Sequence, residues 1–266
     1  MQAVILAAGF GSRLRPLTET QPKCLTEVDG VSLLANELNL LSERNVRETI
    51  VVLGHMREKI VDAIGFQWKG MKITYVENSV YRETNNVFSL NLARNYVDDD
   101  FILLECDLFF QRDVLDALLE STENDCNILV SPFNAKTMNG TVVKVDDEGR
   151  VLELVLGKRQ NADFNYDDAL KTVNVYFFKK DFAIRRLFPL IEYYVETQSR
   201  KSYYELALGA LVYWGNDSIK AISISEESWA EIDDLEDLAR AEVKFGKSRS
   251  YALKFEENKE RSKRAA

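Results

Sequence analysis

Short continuous apolar runs alternate with helix-spaced segments through the first half of the chain, and this alternation constrains the fold more than any other feature. Residues 3–7 (AVILA), 49–53 (TIVVL), 73–76 (ITYV), 101–104 (FILL) and 127–130 (NILV) read as strands. Unbroken apolar character over four or five positions suits a strand covered on both faces. Between them, residues 31–44, 56–64, 86–96 and 113–120 carry apolar side chains at helical spacing, as Leu34, Leu38 and Leu41 do in the first of these. Strands alternating with helices predict an α/β fold, a Rossmann-like and mostly parallel central sheet with helices on both faces. The second half breaks the rhythm. Residues 141–145, 151–154 and 173–177 read as strands with few helices between them, followed by helices near 181–197 and 202–213, a strand at 219–224 and a helix from about 235. This predicts an antiparallel extension of the same sheet. With no Pro/Gly/Ser-rich linker, residues 1–245 form one domain, and 246–266 form a charged tail read as a solvated or frayed helical end.

Charge and composition exclude several function classes. The 34 Lys and Arg against 43 Asp and Glu give a net charge of −9, which disfavours nucleic acid as a partner because phosphate backbones need basic surface. No apolar run approaches the ~20 residues of a membrane span, and no charged segment precedes the first apolar run, so insertion and secretion are disfavoured and the cytoplasm is the default setting. Cys24, Cys106 and Cys126 lack CxxC spacing, which argues against a disulfide framework or zinc site. Cys106 is expected as a small buried filler. His55 is the only histidine, so mechanisms needing two are excluded; a capping or solvent-facing role is expected for it.

The strongest chemical motif follows the first strand: Leu6-Ala7-Ala8-Gly9-Phe10-Gly11-Ser12-Arg13, then Pro22-Lys23. Small residues at Ala7, Ala8, Gly9 and Gly11 let a backbone approach an anion closely, and successive N–H groups of such a turn form an anion-binding concavity. Arg13 and Lys23 add fixed positive charge beside it. Open α/β sheets bind ligands outside the carboxyl ends of their strands, where this loop must lie. The dinucleotide fingerprint requires a third glycine where Leu14 stands, and the Walker spacing is absent. A triphosphate-gripping loop of another type remains.

The stretch LAAGFGSRLRPLT…QPKCL resembles the signature of the nucleotidyltransferases that make sugar nucleotides and CDP-alcohols, and the resemblance extends over roughly residues 1–240. It implies the nucleotidyltransferase fold, with Arg13 and Lys23 as the catalytic cations on the triphosphate and with Leu6, Ala7, Ala8, Gly9, Gly11 and Ser12 against the nucleotide. Asp107, at the end of the fourth strand, and Asp233, before the last helix, occupy the family's metal-binding positions, which implies Mg2+ as cofactor. Mg2+ is commonly held by one or two carboxylates plus substrate phosphates. Asp234 suits a helix N-cap. Glu105 stands open between a metal role and none.

Residues 85–90 (NNVFSL) resemble the cytidylyltransferase branch typified by phosphocholine cytidylyltransferases, which favours CTP, with Asn85, Asn86 and Ser89 near the base. An Asn amide suits a pyrimidine edge, although Asn86 as a helix cap is the alternative. The chain also resembles domains fused to pyridoxal-dependent aminotransferase-like partners. For the second substrate, Lys158, Lys171, Asn174, Tyr203 and Glu205 fall in loops or at element ends and are the candidate acceptor contacts; each lysine is alternatively a solvated surface residue. The expected partners are therefore CTP and a small phosphorylated or phosphonate acceptor, such as phosphocholine, phosphoethanolamine or 2-aminoethylphosphonate. Two alternatives stay open: a sugar-1-phosphate uridylyl- or thymidylyltransferase, and a catalytically silent nucleotide-binding subunit.

Overall fold

The computed structural model describes residues 1–134, 138–161 and 163–246; most of the predicted tail lies outside them. Ten strands form the main sheet: β1 (Gln2–Ala7), β2 (Glu48–Leu53), β3 (Gln67–Trp68), β4 (Met71–Glu77), β5 (Phe101–Glu105), β6 (Cys126–Pro132), β7 (Val142–Val145), β8 (Val151–Val155), β9 (Leu170–Phe178) and β10 (Ile219–Ser223). Their order is β8-β7-β9-β5-β1-β2-β4-β3, with β6 also against β9 and β10 beyond β6. β1 pairs in parallel with β2 and β5, and β2 with β4, so their carboxyl ends share one edge.

The antiparallel strands were expected as an extension, and one lies inside the sheet. β9 runs antiparallel to both β5 and β6. Its segment from Thr172 to Phe178 is buried throughout, which suits a central position. β10, by contrast, pairs in parallel with β6.

Side chains of β1 alternate between two apolar layers. Val4 and Leu6 join Val87 and Leu90 of the helix Asn86–Ala93 and Ile191 of the helix Phe188–Thr197; Ala3, Ile5 and Ala7 join Leu34, Leu38 and Leu41 of α1 (Leu33–Ser42). Helices therefore cover both faces. The helix expected over 181–197 runs without a gap from Lys180 to Thr197 but contains a π turn at Ala183–Leu187. Pro189 lacks the N–H that would continue the regular ladder back to Arg185. Among the described residues no helix is long and apolar enough to cross a membrane.

Candidate active site

The loop after β1 is shaped by a glycine that nothing else can replace. Gly11 has φ +62°, and a Cβ there would meet Lys23 Cβ at 2.7 Å. The close approach sets the base of the Lys23 side chain against the loop, while the Gly11 carbonyl accepts from Thr18 Oγ1 at 2.8 Å. Gly54, which sequence reasoning missed, does similar work from β2: a Cβ would lie 2.6 Å from the Ala8 carbonyl oxygen, the same oxygen that accepts from the His55 N–H.

This loop borders a cleft of about 360 Å³. Leu6, Ala8, Gly9, Gly11, Ser12, Arg13 and Lys23 line it, as do Asn85, Asn86 and Ser89. Ala7 does not: it is 3% exposed and packs in the apolar layer under α1, because alternation along β1 turns its side chain away from the cleft. Cys106, expected as buried filler, is half-buried and lines the cleft. The His55 ring, half-buried, lies 4.9 Å from Phe10, with Tyr81 at 6.1 Å. Burial and then Arg82 and Arg15 hold the His55 pKa down.

Two aspartates distant in sequence meet at the mouth of this cleft. The strands Leu108–Phe110 and Trp229–Glu231 form a small antiparallel ladder, and the Ile232 N–H donates to the Asp107 carbonyl at 2.8 Å. Asp107 and Asp233 are thereby brought to one point, where Lys23 Nζ donates to Asp107 Oδ2 at 2.8 Å and to Asp233 Oδ1 at 2.7 Å. Arg13 adds a 2.8 Å contact to the same Asp233 oxygen. Burial alone would lower the lysine pKa, but the two carboxylates outweigh it and hold the ammonium above its ordinary range. Burial likewise works to raise Asp233, and Lys23 and Arg13 overcome it and hold its carboxyl below its usual value. Asp234 is occupied elsewhere: it caps the helix Leu235–Phe245 in a reciprocal box with Asp237. Asp107 Oδ1 is buried without a partner. The described residues contain no group of three or more metal-ligating side chains, so a cation here would rest on two carboxylates plus oxygens brought by a ligand, which is the ordinary pattern for Mg2+.

A second cleft of about 540 Å³ adjoins the first, and Arg13, Asn86, Glu105, Asp107, Tyr203 and Asp233 line both. Lys158, Lys171, Asn174 and Glu205 line the second with Tyr203, so all five candidate acceptor contacts come together. In a regular strand Lys171 and Asn174 would point to opposite faces. The pairing of β9 with β6 is irregular between Thr172 and Tyr176, and Asn174 takes φ +60° there. Both side chains thus reach Glu231, Lys171 Nζ at 3.3 Å and Asn174 Nδ2 at 3.2 Å. Lys171 is buried, not a solvated surface lysine; Lys158 sits over the Tyr203 ring at 5.0 Å.

Asn86 is not the helix cap. Asn85 is the cap, accepting from the Asn86 N–H at 2.8 Å. The Asn86 amide donates to Glu105 Oε1 at 3.0 Å and Glu205 Oε2 at 3.4 Å and accepts from the Tyr204 N–H at 3.1 Å. Its hydrogen bonds tie two glutamates together. Burial raises Glu105, Glu205 and Glu231 above the usual carboxyl range, offset at Glu205 by its backbone N–H, Asn86 and Lys171 and at Glu231 by Lys171. Asn78, also missed, lines the first cleft and donates to Thr84 Oγ1 and Ser89 Oγ at 3.0 and 3.2 Å. Its signal was available: an amide just past the carboxyl end of a parallel strand, where ligands gather.

Comparison with known proteins shows the family. The chain is 35% identical over 249 residues to the CMP-5'-(3-aminopropyl)phosphonate synthase of Streptomyces rubellomurinus, covering 94% of this chain and 39% of that protein. It is 27% identical over 258 residues to the CTP:phosphoglutamine cytidylyltransferase of Campylobacter jejuni, covering 90% and 98% of the two chains. The solved CTP:phosphocholine cytidylyltransferase of Streptococcus pneumoniae superposes with a TM-score of 0.72 at 20% identity, over 91% of this chain and 97% of that one, a likeness of fold. The Nucleotidyl transferase family model matches residues 2–244, and the chain belongs to that family.

Proposed function

We propose that this chain transfers CMP from CTP to a phosphonate or phosphate oxygen of a small acceptor, releasing pyrophosphate. The observation that carries the reading is the meeting of the two clefts at Asp107 and Asp233. A triphosphate along the Gly-rich loop and an acceptor beside Lys171 would present their reacting atoms to each other at that junction. The acceptor oxygen forms the new bond to the α-phosphorus, and the bond from that phosphorus to the bridging oxygen breaks, its electron pair leaving with pyrophosphate. A phosphonate or phosphate is already anionic near neutral pH, so the attack needs no general base. What the site must supply is alignment and charge neutralisation. Lys23 and Arg13 would neutralise the triphosphate, and the buried Lys171 would hold the acceptor's anionic group. Asp107 and Asp233 would hold Mg2+, which when bound offsets negative charge on the phosphate oxygens. We assign CTP from the similarity to named cytidylyltransferases and the pattern at residues 85–90. The second cleft carries both signs of charge, Lys171 beside Glu231 with Glu105 and Glu205 nearby. That suits a zwitterionic acceptor with an ammonium at one end. A cytoplasmic setting and a single domain over 1–245 complete the reading.

A panel of CTP, UTP, dTTP and ATP against 2-aminoethylphosphonate, phosphocholine, phosphoethanolamine and a sugar 1-phosphate tests it by pyrophosphate release. The expected result is release with CTP and an amino-bearing acceptor. Preference for UTP or dTTP with the sugar phosphate would move the chain to the sugar-nucleotide branch, and no release with any pair would favour a silent binding subunit.

A further inference from the structure

Lys23 stands where a metal would be expected, between the two carboxylates. Its ammonium bonds both aspartates, and Arg13 bonds one of them. The two cations offset the two aspartates, so a bare divalent cation approaching this pair gains less from the carboxylates and faces the repulsion of an ammonium already bound. The same lysine also lines the nucleotide cleft. Its base is fixed, because Lys23 Cβ packs against Gly11 too closely to admit even a methyl group there. Its four-carbon stem leaves the tip free to turn between two anionic partners.

We propose that Lys23 is an exchangeable counter-ion: in the free protein it holds Asp107 and Asp233 together, and it passes to the triphosphate only when nucleotide and divalent cation enter together. The triphosphate supplies the anion that the displaced ammonium requires, and the cation takes over the carboxylates. Metal and nucleotide therefore bind with positive coupling, each raising the affinity for the other by the same factor. This rests on the metal role of the two aspartates and is independent of which base the nucleotide carries.

The test is Mn2+ binding to the full chain, read by the electron paramagnetic resonance of free Mn2+, with and without CTP and with no acceptor present. Wild type should bind Mn2+ about ten-fold or more weakly without CTP than with it. Lys23→Gln should bind bare Mn2+ about ten-fold or more tightly than wild type, which narrows the difference made by CTP to the part the triphosphate oxygens themselves supply as ligands. Lys23→Arg, which keeps the positive charge, should stay weak. Adding Asp107→Asn to Lys23→Gln should abolish the gain. Lys23→Gln binding bare Mn2+ no better than wild type would overturn the proposal, as would tight nucleotide-free binding by wild type. If Lys23→Gln does not fold, thermal melting of wild type decides: MgCl2 alone should leave the melting temperature unchanged while MgCl2 with CTP raises it, and an equal rise from MgCl2 alone contradicts the exchange. Coupling seen with UTP but not CTP would support the lysine's role and overturn only the base assignment.

Discussion

Asp233→Asn should lower turnover by roughly 10²–10³-fold with the fold intact, while Asp234→Asn, one residue on, should leave turnover within a few-fold. The contrast follows from what each carboxylate touches. Asp233 accepts from Lys23 and Arg13 and lines both clefts. An amide there keeps the shape but removes the charge that orients those cations and would share a metal. The Asp233 backbone N–H still donates to Asp237 Oδ2, so the start of the last helix survives. Asp234 spends its side chain on the N–H groups of Glu236 and Asp237. Asn is itself a good N-cap, so Asp234→Asn should cost little stability, whereas Asp234→Ala should cost about 1 kcal/mol. Steady-state kinetics beside urea unfolding separates the two positions. Near-normal turnover in Asp233→Asn contradicts its role.

Lys171→Met should destabilise the protein by about 3 kcal/mol or more at pH 8 and abolish acceptor saturation. Lys171 is 1% exposed, 3.3 Å from Glu231, and donates to the Thr172 carbonyl at 2.8 Å. Removing the ammonium strands Glu231 in a buried setting, and Glu205 loses an attraction that partly offsets its burial. Both carboxyls already lie above their unfolded pKa values, and the substitution pushes them higher. A group raised on folding favours the folded state below its unfolded pKa and disfavours it as pH rises through the folded one. The gap between variant and wild type should therefore narrow from pH 8 to pH 5 in urea unfolding. Adding Glu231→Gln should restore part of the stability and none of the acceptor binding. A pH-independent gap would mean that lost packing, not the stranded carboxylates, carries the cost.

The strands were legible because burial on both faces leaves an unbroken apolar run, and 3–7, 49–53 and 101–104 all lie within observed strands. Strand order was not, because a run such as 173–177 reports that it is buried and not which neighbours bury it. β9 consequently sits between β5 and β6 with nothing in its own residues to announce it. At the site, the Gly-rich loop and its cations are local in sequence and could be read directly. The inward turn of the Ala7 side chain follows from strand alternation, which the motif alone does not report. The bonds of Asn86 to Glu105 and Glu205 were not legible, because those partners lie 19 and 119 residues away. The shared face of Lys171 and Asn174 depends on a bulge that no pattern of apolar residues encodes.

The most direct measurement is 31P NMR of the protein with CTP, MgCl2 and 2-aminoethylphosphonate. The account predicts inorganic pyrophosphate and a pair of mutually coupled resonances, one phosphonate and one phosphate, from the new P–O–P linkage, growing in equal amounts. Inorganic phosphate with CDP, free CMP without that coupled pair, or an unchanged spectrum would contradict it.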